Sequence, residues 1–214
     1  MPRVNRVSYP VTALGPGERL GVWFQGCPLA CAGCLARDTW APGAGGEVPL
    51  EELLGLWRSA LEAGADGLTV SGGEPLAQPE ALGAFLDAAA ALRDELRPAA
   101  DLLVYTGYDA AEIADPRPLR AADAVITGRY DVTRPTRLIW RGSANQALTP
   151  RTGLGRRRYA PFAEFEPDRP PMQVAAGDRN VWFIGVPRRG DMARLERELS
   201  ARGVSFGGGV TWRP

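Results

Sequence analysis

Residues 20–34 of the chain read LGVWFQGCPLACAGC. The first five residues of this stretch form an apolar run interrupted only by Gly21, which is typical of a strand buried on both faces in a parallel sheet. Gln25 and Gly26 end the run, and the loop behind them contains all three cysteines of the 214-residue chain. Because α/β folds bind ligands at the carboxyl ends of their strands, the sequence predicts a site directly after this strand.

The three cysteines have the spacing C-x3-C-x2-C at Cys27, Cys31 and Cys34. Three thiolates within eight residues can converge on one inorganic centre. A [4Fe–4S] cluster is commonly held by four cysteines, so three would leave one iron free for another ligand. A disulfide would leave an odd thiol, and no signal peptide indicates an oxidising compartment. A zinc site stays open as an alternative, although without histidine its fourth ligand would be a carboxylate or come from another chain.

The composition excludes several function classes. The chain has 25 basic and 25 acidic residues and no histidine, and every basic residue is an arginine. Hydrolysis with a histidine base and Schiff-base chemistry at lysine are therefore excluded. The charge balance gives no case for nucleic acid or a membrane surface as partner. No apolar run reaches the length of a membrane span, so we expect a cytoplasmic protein.

Strands and helices alternate along the first two thirds of the chain. A first strand is predicted around Val4 to Tyr9, before a turn at residues 15–17. Further strands are predicted at 20–24, 67–70, 102–105 and 124–127, with helices at 49–64, 79–96 and, briefly, 109–114. The residues at 42–46 read as a flexible link. This alternation predicts an α/β fold with a parallel sheet and right-handed crossovers.

A second motif, Ser71-Gly72-Gly73-Glu74-Pro75, follows the strand at 67–70. Alone, a Gly-Gly pair is a weak signal, since most such pairs are simple turns. Glycines without Cβ atoms allow a backbone to approach a ligand closely. A third turn, Thr106-Gly107-Tyr108, follows the strand at 102–105 and equally fits a simple turn.

The two motifs, in this order and at these strand ends, resemble those of the radical S-adenosylmethionine (SAM) superfamily. The resemblance implies a partial, open TIM-like parallel β/α barrel of the radical SAM type. It implies two cofactors, a [4Fe–4S] cluster and SAM, an electron donor similar to flavodoxin or ferredoxin, and reductive cleavage of SAM to a 5′-deoxyadenosyl radical. The implied cluster ligands are Cys27, Cys31 and Cys34. The implied SAM contacts are Gly33 and Leu35 beside the cluster, Gly72, Gly73 and Glu74 at the methionyl end, and Thr106 at the ribose and adenine.

The segment Arg141-Gly-Ser-Ala-Asn-Gln146 resembles a signature of the anaerobic ribonucleotide reductase activases. With the other motifs, this likeness covers roughly residues 12–150 and implies a glycyl radical enzyme as partner. Leu35-Ala36 departs from the polar pair that is usual in that subfamily. A radical SAM enzyme that modifies a small molecule or a ribosomal peptide is therefore the alternative. A third class, a non-enzymatic iron–sulfur or zinc module, would leave the Gly-Gly-Glu-Pro loop without a role.

The sequence predicts a core domain at residues 1–155 and a C-terminal extension at 156–214, packed on the core. Residues 151–158 read as a basic link. A strand at 181–184, a helix at 191–201 and a last strand at 210–212 predict a small β-α-β appendage that extends the sheet or docks a partner. No chemistry is predicted in the extension.

Overall fold

The computed structural model describes residues 1–177, 181–207 and 210–211 of the chain. Its centre is a seven-stranded sheet with the order β3-β1-β2-β4-β5-β6-β7. The strands of this sheet are β1 (Arg3–Val11), β2 (Arg19–Phe24), β3 (Gly46–Glu47), β4 (Gly67–Gly72), β5 (Asp101–Tyr105), β6 (Ala124–Thr127) and β7 (Ala147–Pro150). No helix among the described residues is long and apolar enough to cross a membrane.

The four predicted core strands form the parallel centre of the sheet. β2 pairs with β4, β4 with β5 and β5 with β6, each in parallel. The predicted α/β fold with a mostly parallel sheet is therefore confirmed. Both edges are antiparallel: β1 pairs with β2 and β3, and β7 pairs with β6. The structure corrects the sequence analysis here, because β3 begins at Gly46, the last residue of the stretch expected to be a flexible link, and β7 was not predicted.

Two helices cover one face of the sheet. α1 (Leu50–Glu62) begins after Pro49, and α2 (Pro79–Leu96) begins with a proline at its first position, where no hydrogen bond is lost. Trp57 of α1 is fully buried, and its indole N–H donates to the Ala89 carbonyl of α2 at 3.1 Å. The helices bury alternate residues of the strands, Leu102 and Val104 among them.

The opposite face, called here the inner face, is covered by the second half of the chain. Leu103 of β5 packs there with Trp140 and with Tyr159 of α3 (Gly153–Tyr159). α3 lies in the stretch expected to be a basic link, and the boundary predicted at 155/156 falls inside it. A helix forms here because its N-terminus is capped: the Thr152 hydroxyl accepts a hydrogen bond from the Gly155 N–H at 3.0 Å.

The C-terminal part contains a second, separate sheet. β8 (Met172–Ala176) and β9 (Val181–Gly185) form an antiparallel hairpin, and α4 (Asp191–Ser200) follows. The described order is therefore β-β-α, where the sequence predicted β-α-β, and the hairpin does not extend the main sheet. Residues 210 and 211 are not in a strand, and the strand predicted at 210–212 ends at Trp212, outside the described residues.

A buried ion pair lies at the amino ends of the parallel strands. Arg19 and Asp101 are both fully buried. Arg19 Nη1 donates to Asp101 Oδ1 at 3.0 Å, and Arg19 Nη2 donates to Asp101 Oδ2 at 2.8 Å. Arg19 Nε also donates to the Thr69 hydroxyl at 2.6 Å. Asp101 further accepts from the Tyr159 hydroxyl and contacts Arg158 Nε at 2.6 Å. One charged pair thereby joins β2, β4, β5 and α3.

We expect Asp101→Asn to destabilise the chain by about 3–5 kcal/mol, because it leaves the buried Arg19 charge uncompensated. Urea unfolding followed by circular dichroism measures this loss. Asp87→Asn is the matched control: Asp87 also bonds a guanidinium twice, that of Arg120, but at the surface. The control should leave the unfolding midpoint nearly unchanged. Equal midpoints for the two variants would contradict the structural role given to the buried pair.

Candidate functional site

The cysteine loop, residues 26–41, follows β2 and closes on itself. Gly26 N–H donates to the Thr39 carbonyl at 2.7 Å, and Cys27 N–H donates to the Trp40 carbonyl at 3.0 Å. The Gln25 side chain, which is 2% exposed, donates from Nε2 to the Ala41 carbonyl at 2.8 Å. The two ends of the loop are therefore fixed to each other at the carboxyl end of β2, where the sequence predicts the site.

The three cysteines are free, partly buried thiols. Burial raises the pKa of each thiol, and a charge on one thiol raises the pKa of the next: Cys31 acts on Cys27, Cys34 on Cys31, and Cys27 on Cys34. Hydrogen bonds from N–H groups act in the opposite direction; the donors are Leu29 and Ala30 to Cys27, Tyr130 to Cys31, and Ala36 and the Trp40 indole to Cys34. The loop thus gathers three interacting thiols, each with an N–H donor that favours the thiolate.

The donor set fits a [4Fe–4S] cluster better than a zinc ion. A structural zinc ion takes four ligands, commonly cysteine and histidine, and the chain has three cysteines and no histidine. A [4Fe–4S] cluster held by three thiolates keeps one iron free for another ligand, so three free thiols gathered on one loop match the cluster.

The Gly72-Gly73 pair lies in direct backbone contact with the end of β2 and the start of the cysteine loop. Gly73 N–H donates to the Phe24 carbonyl, and Glu74 N–H donates to the Gly26 carbonyl, each at 2.9 Å. A Cβ at Gly72 would lie 2.3 Å from Phe24 N, and one at Gly73 would lie 2.2 Å from the Gly26 carbonyl oxygen. The sequence analysis explained the missing Cβ atoms by approach to a ligand. The structure shows that their absence also allows the motif to continue the β2–β4 pairing into the cysteine loop.

The Glu74 carboxylate lies fully buried between the ends of β4 and β5. Its Oε1 accepts from the Leu76 N–H at 2.9 Å and from the Thr106 hydroxyl at 2.8 Å, and its Oε2 accepts from the Gly107 N–H at 2.7 Å. Burial raises the pKa of this carboxyl, and the three donated hydrogen bonds lower it. Glu74 and Thr106, both predicted site residues, are therefore in direct contact. With three donors bound, about one lone pair of the carboxylate is left.

Gly33 and Leu35 lie on two sides of the cysteine loop. Gly33 has a φ of +75°, and a Cβ there would meet Tyr130 and Val132 at 3.4 Å. Leu35 is 37% exposed and lines a cavity of about 420 Å³. The predicted residue Gly72 lines the same cavity. The structure thus brings Leu35 and Gly72 to one space on the inner face, beneath the cysteine loop.

The signature at 141–146 positions the segment that covers the cysteines. Asn145 Nδ2 donates to the Arg129 carbonyl at 2.8 Å, and Gln146 Nε2 donates to the Gly128 carbonyl at 2.9 Å. The next residue, Tyr130, provides the N–H that faces Cys31. Sequence reasoning alone read this stretch as a polar turn, and its resemblance to a signature gave no structural role. The signal that the sequence offers for this role is the pair of adjacent amide side chains, Asn145 and Gln146, which can bond to a neighbouring backbone.

Arg129 is a site residue that the sequence analysis did not select. Its guanidinium lies 5.7 Å from the centre of the Tyr108 ring and forms an ion pair with Glu112 at 2.5 Å. Its positive charge lowers the pKa of Cys31 and of Glu74. A cation therefore stands near both the cysteine loop and the Gly-Gly-Glu turn.

Comparisons with known proteins agree with this geometry. Residues 13–149 match the family model described as a 4Fe-4S single cluster domain. The anaerobic ribonucleoside-triphosphate reductase-activating protein of Pasteurella multocida (strain Pm70) is 35% identical, over 68% of this chain and 96% of its own length. The protein of that name from Enterobacteria phage T4 is 31% identical, over 63% and 85%. The pyruvate formate-lyase-activating enzyme of Clostridium pasteurianum is 40% identical over 38% of this chain and 36% of its own.

The chain belongs to the family of 4Fe-4S single cluster domain proteins, together with these activating proteins. This confirms the prediction of a radical SAM enzyme with an iron–sulfur cluster. The family match ends at residue 149, so the hairpin and α4 lie outside it.

We expect Gly73→Ala to lose most of its cluster, because the new Cβ would push the Gly26 carbonyl and the cysteine loop apart, at a cost of about 1–3 kcal/mol. Gly43→Ala is the control, since a Cβ at Gly43 meets nothing within 4 Å. Metal analysis after anaerobic purification and reconstitution measures iron and zinc per chain. Normal iron in Gly73→Ala would contradict the role of the close approach, and zinc alone in the wild type would contradict the cluster.

Proposed function

We propose that the chain uses its cluster and SAM to generate a radical on a partner enzyme. The observation that carries this proposal is the direct bonding of the Gly-Gly-Glu turn to the start of the cysteine loop, through Gly73 to Phe24 and Glu74 to Gly26. This bonding fixes the two predicted halves of a cofactor site relative to each other. When bound, the cluster supplies the electron that splits SAM into methionine and a 5′-deoxyadenosyl radical.

The residues of this chain bind and orient the two cofactors. Cys27, Cys31 and Cys34 hold the cluster in this proposal, with Gly33 and Leu35 beside it. Gly72, Gly73 and Glu74 hold the methionyl end of SAM, and Thr106 lies toward the ribose. The Glu74 carboxylate keeps about one lone pair for the SAM ammonium, so its main role here is to lock the ends of β4 and β5 together.

The partner in this proposal is a glycyl radical enzyme. The supporting observation is that the relatives from Pasteurella multocida and phage T4, which align over most of their own length, are named as activating proteins of anaerobic ribonucleoside-triphosphate reductase. The reaction transfers a hydrogen atom from a glycine Cα of the partner to the 5′-deoxyadenosyl radical, giving 5′-deoxyadenosine and a glycyl radical. A flavodoxin- or ferredoxin-like protein reduces the cluster beforehand, and the reaction takes place in the cytoplasm.

A second candidate function has its own observation. Leu35 lines a half-open cavity that has the C-terminal hairpin as one wall, and a concave space of this size suits a small molecule or one peptide segment. The chain would then modify that molecule directly. The activating function is preferred because residues 141–146 resemble the activase signature and because relatives that align over most of their own length are named as activating proteins.

The proposed architecture is an open, partial barrel with a separate extension. The parallel strands carry the site at their carboxyl ends, and the core would comprise residues 1–155. The extension at 156–214 is packed on this core and stabilises it, because Tyr159 at the start of the extension is buried and bonds to Asp101. Support for the packing comes from Ile184, which is 4% exposed and contacts the cluster of apolar side chains around Trp23. The appendage has the described order β-β-α.

The activating function is tested by electron paramagnetic resonance. The reconstituted chain, SAM and dithionite are mixed without oxygen with the anaerobic ribonucleotide reductase of the same genome, and a glycyl radical doublet is expected. Cys31→Ala is the control and should give neither cluster nor doublet, because two thiolates cannot hold a [4Fe–4S] cluster firmly. SAM cleavage without a doublet would exclude this partner and favour the second candidate function.

Two truncations test whether the core depends on the start of the extension. A chain that ends at residue 155 loses Tyr159, which is fully buried and bonds to Asp101. We expect this chain to aggregate, whereas a chain that ends at residue 170 keeps Tyr159 and should retain more folded, iron-binding protein. Thermal unfolding and iron content measure the difference. A stable, cluster-binding chain of 155 residues would contradict the role given to Tyr159 and α3.

A further inference from the structure

The C-terminal hairpin is fixed against the main sheet. Gln173 of β8 donates from Nε2 to the Pro10 carbonyl at 2.7 Å, and its Oε1 accepts from the Thr12 N–H at 2.9 Å. Ile184 of β9 packs with Trp23 of β2. Beyond β9, Val186 Cγ1 lies 3.5 Å from where a Cβ at Gly142 would stand. The hairpin is therefore tied to β1, β2 and the signature segment at once.

The two faces of the hairpin differ. Residues that point inward, Trp182 and Ile184 among them, pack against the apolar side chains of the inner face. Residues that point outward, such as Val174 and Val181, are 62% and 52% exposed. This alternation is the period of two that a strand imposes. β9 forms one wall of the cavity of about 420 Å³, which Trp182 and Ile184 line together with Val181 and Phe183.

The opposite wall of this cavity is the cofactor site. Leu35 and Ala36 follow the last cysteine, Ser71 precedes the Gly-Gly-Glu turn and Gly72 begins it, and Tyr105 precedes Thr106; all line the cavity. Two buried polar atoms of its lining residues, Arg6 Nε and Tyr105 Oη, have no hydrogen-bond partner within the described part of the chain. The cavity has a size typical of small-molecule sites, about 300–1,000 Å³.

We propose that the inner face of β9 completes the binding site for the adenosyl group of SAM, with Trp182 as the side chain that packs on it. The inference rests on the proposed function, because it assumes that SAM lies beside Leu35 and Gly72. A purine is a flat aromatic ring, and an indole offers it a large apolar face. The family match ends at residue 149, so this wall is an addition to the shared core.

Calorimetry of S-adenosylhomocysteine and SAM tests the proposal on the cluster-loaded full chain, without reductant or partner. Trp182→Ala should weaken both ligands about 5- to 100-fold, the range expected for loss of one stacking aromatic. Trp182→Phe should restore most of the affinity, because a phenyl ring keeps an aromatic face. Val186→Phe adds bulk to the same wall and should also weaken binding. Val174→Ala, on the outward face, is the matched control and should bind like the wild type.

Unchanged affinity in both Trp182→Ala and Val186→Phe would overturn the proposal. Weak binding by Trp182→Phe equal to that of Trp182→Ala would also overturn it, because the loss would then reflect the hairpin and not the aromatic face. Iron content and thermal midpoints of all four variants are measured alongside. Since no partner is present, failure of the glycyl radical assay would leave these affinities unaffected, and the two proposals can fail separately.

Discussion

The structure depends on one buried ion pair, that of Arg19 and Asp101. Arg19 begins β2, Asp101 begins β5, and the same guanidinium reaches Thr69 and the Leu68 carbonyl of β4 between them. A slip of one residue in any of the three strands would break these bonds and turn apolar side chains to the wrong face. Removing such charges from water is costly, so the pair is tolerated only because every part of it is bonded. The register fixed at the amino ends of the strands sets the alignment of the loops at their carboxyl ends.

At the carboxyl ends, backbone contacts repeat this fixation. The Gly-Gly-Glu turn bonds to the residues just before the first cysteine, and the Glu74 carboxylate ties that turn to Thr106 and Gly107. Three successive loops are therefore joined by hydrogen bonds of the protein itself. A cluster and a small molecule that bind there meet a site whose parts are already in place, so less conformational entropy is lost on binding.

The sequence was sufficient for the parallel core and for the class of cofactor, for a physical reason. Buried parallel strands such as 20–24 are apolar almost throughout, and a three-cysteine loop at such a strand end has few alternative uses. The antiparallel edges were missed because β3 has two residues and β7 has no apolar pattern of its own; both strands form by pairing with a neighbour. α3 was missed because its run of arginines hides the one buried side chain, Tyr159. The bonding role of Gly73 could not be read from sequence, because a glycine needed for a ligand and one needed for a backbone contact look the same.

The C-terminal part shows how an added unit can change a shared core. An open parallel sheet leaves its inner face exposed, and apolar residues there, such as Trp23 and Leu103, must be covered. In this chain α3 covers the amino half with Tyr159, and the hairpin covers the half below the cysteine loop with Ile184. Ile184 packs on Trp23 of β2, but the same hairpin also faces the loops at Leu35 and Gly72, and a half-open cavity of about 420 Å³ lies between them. The packing that stabilises the open sheet therefore also provides one wall of this cavity beside the cofactor site.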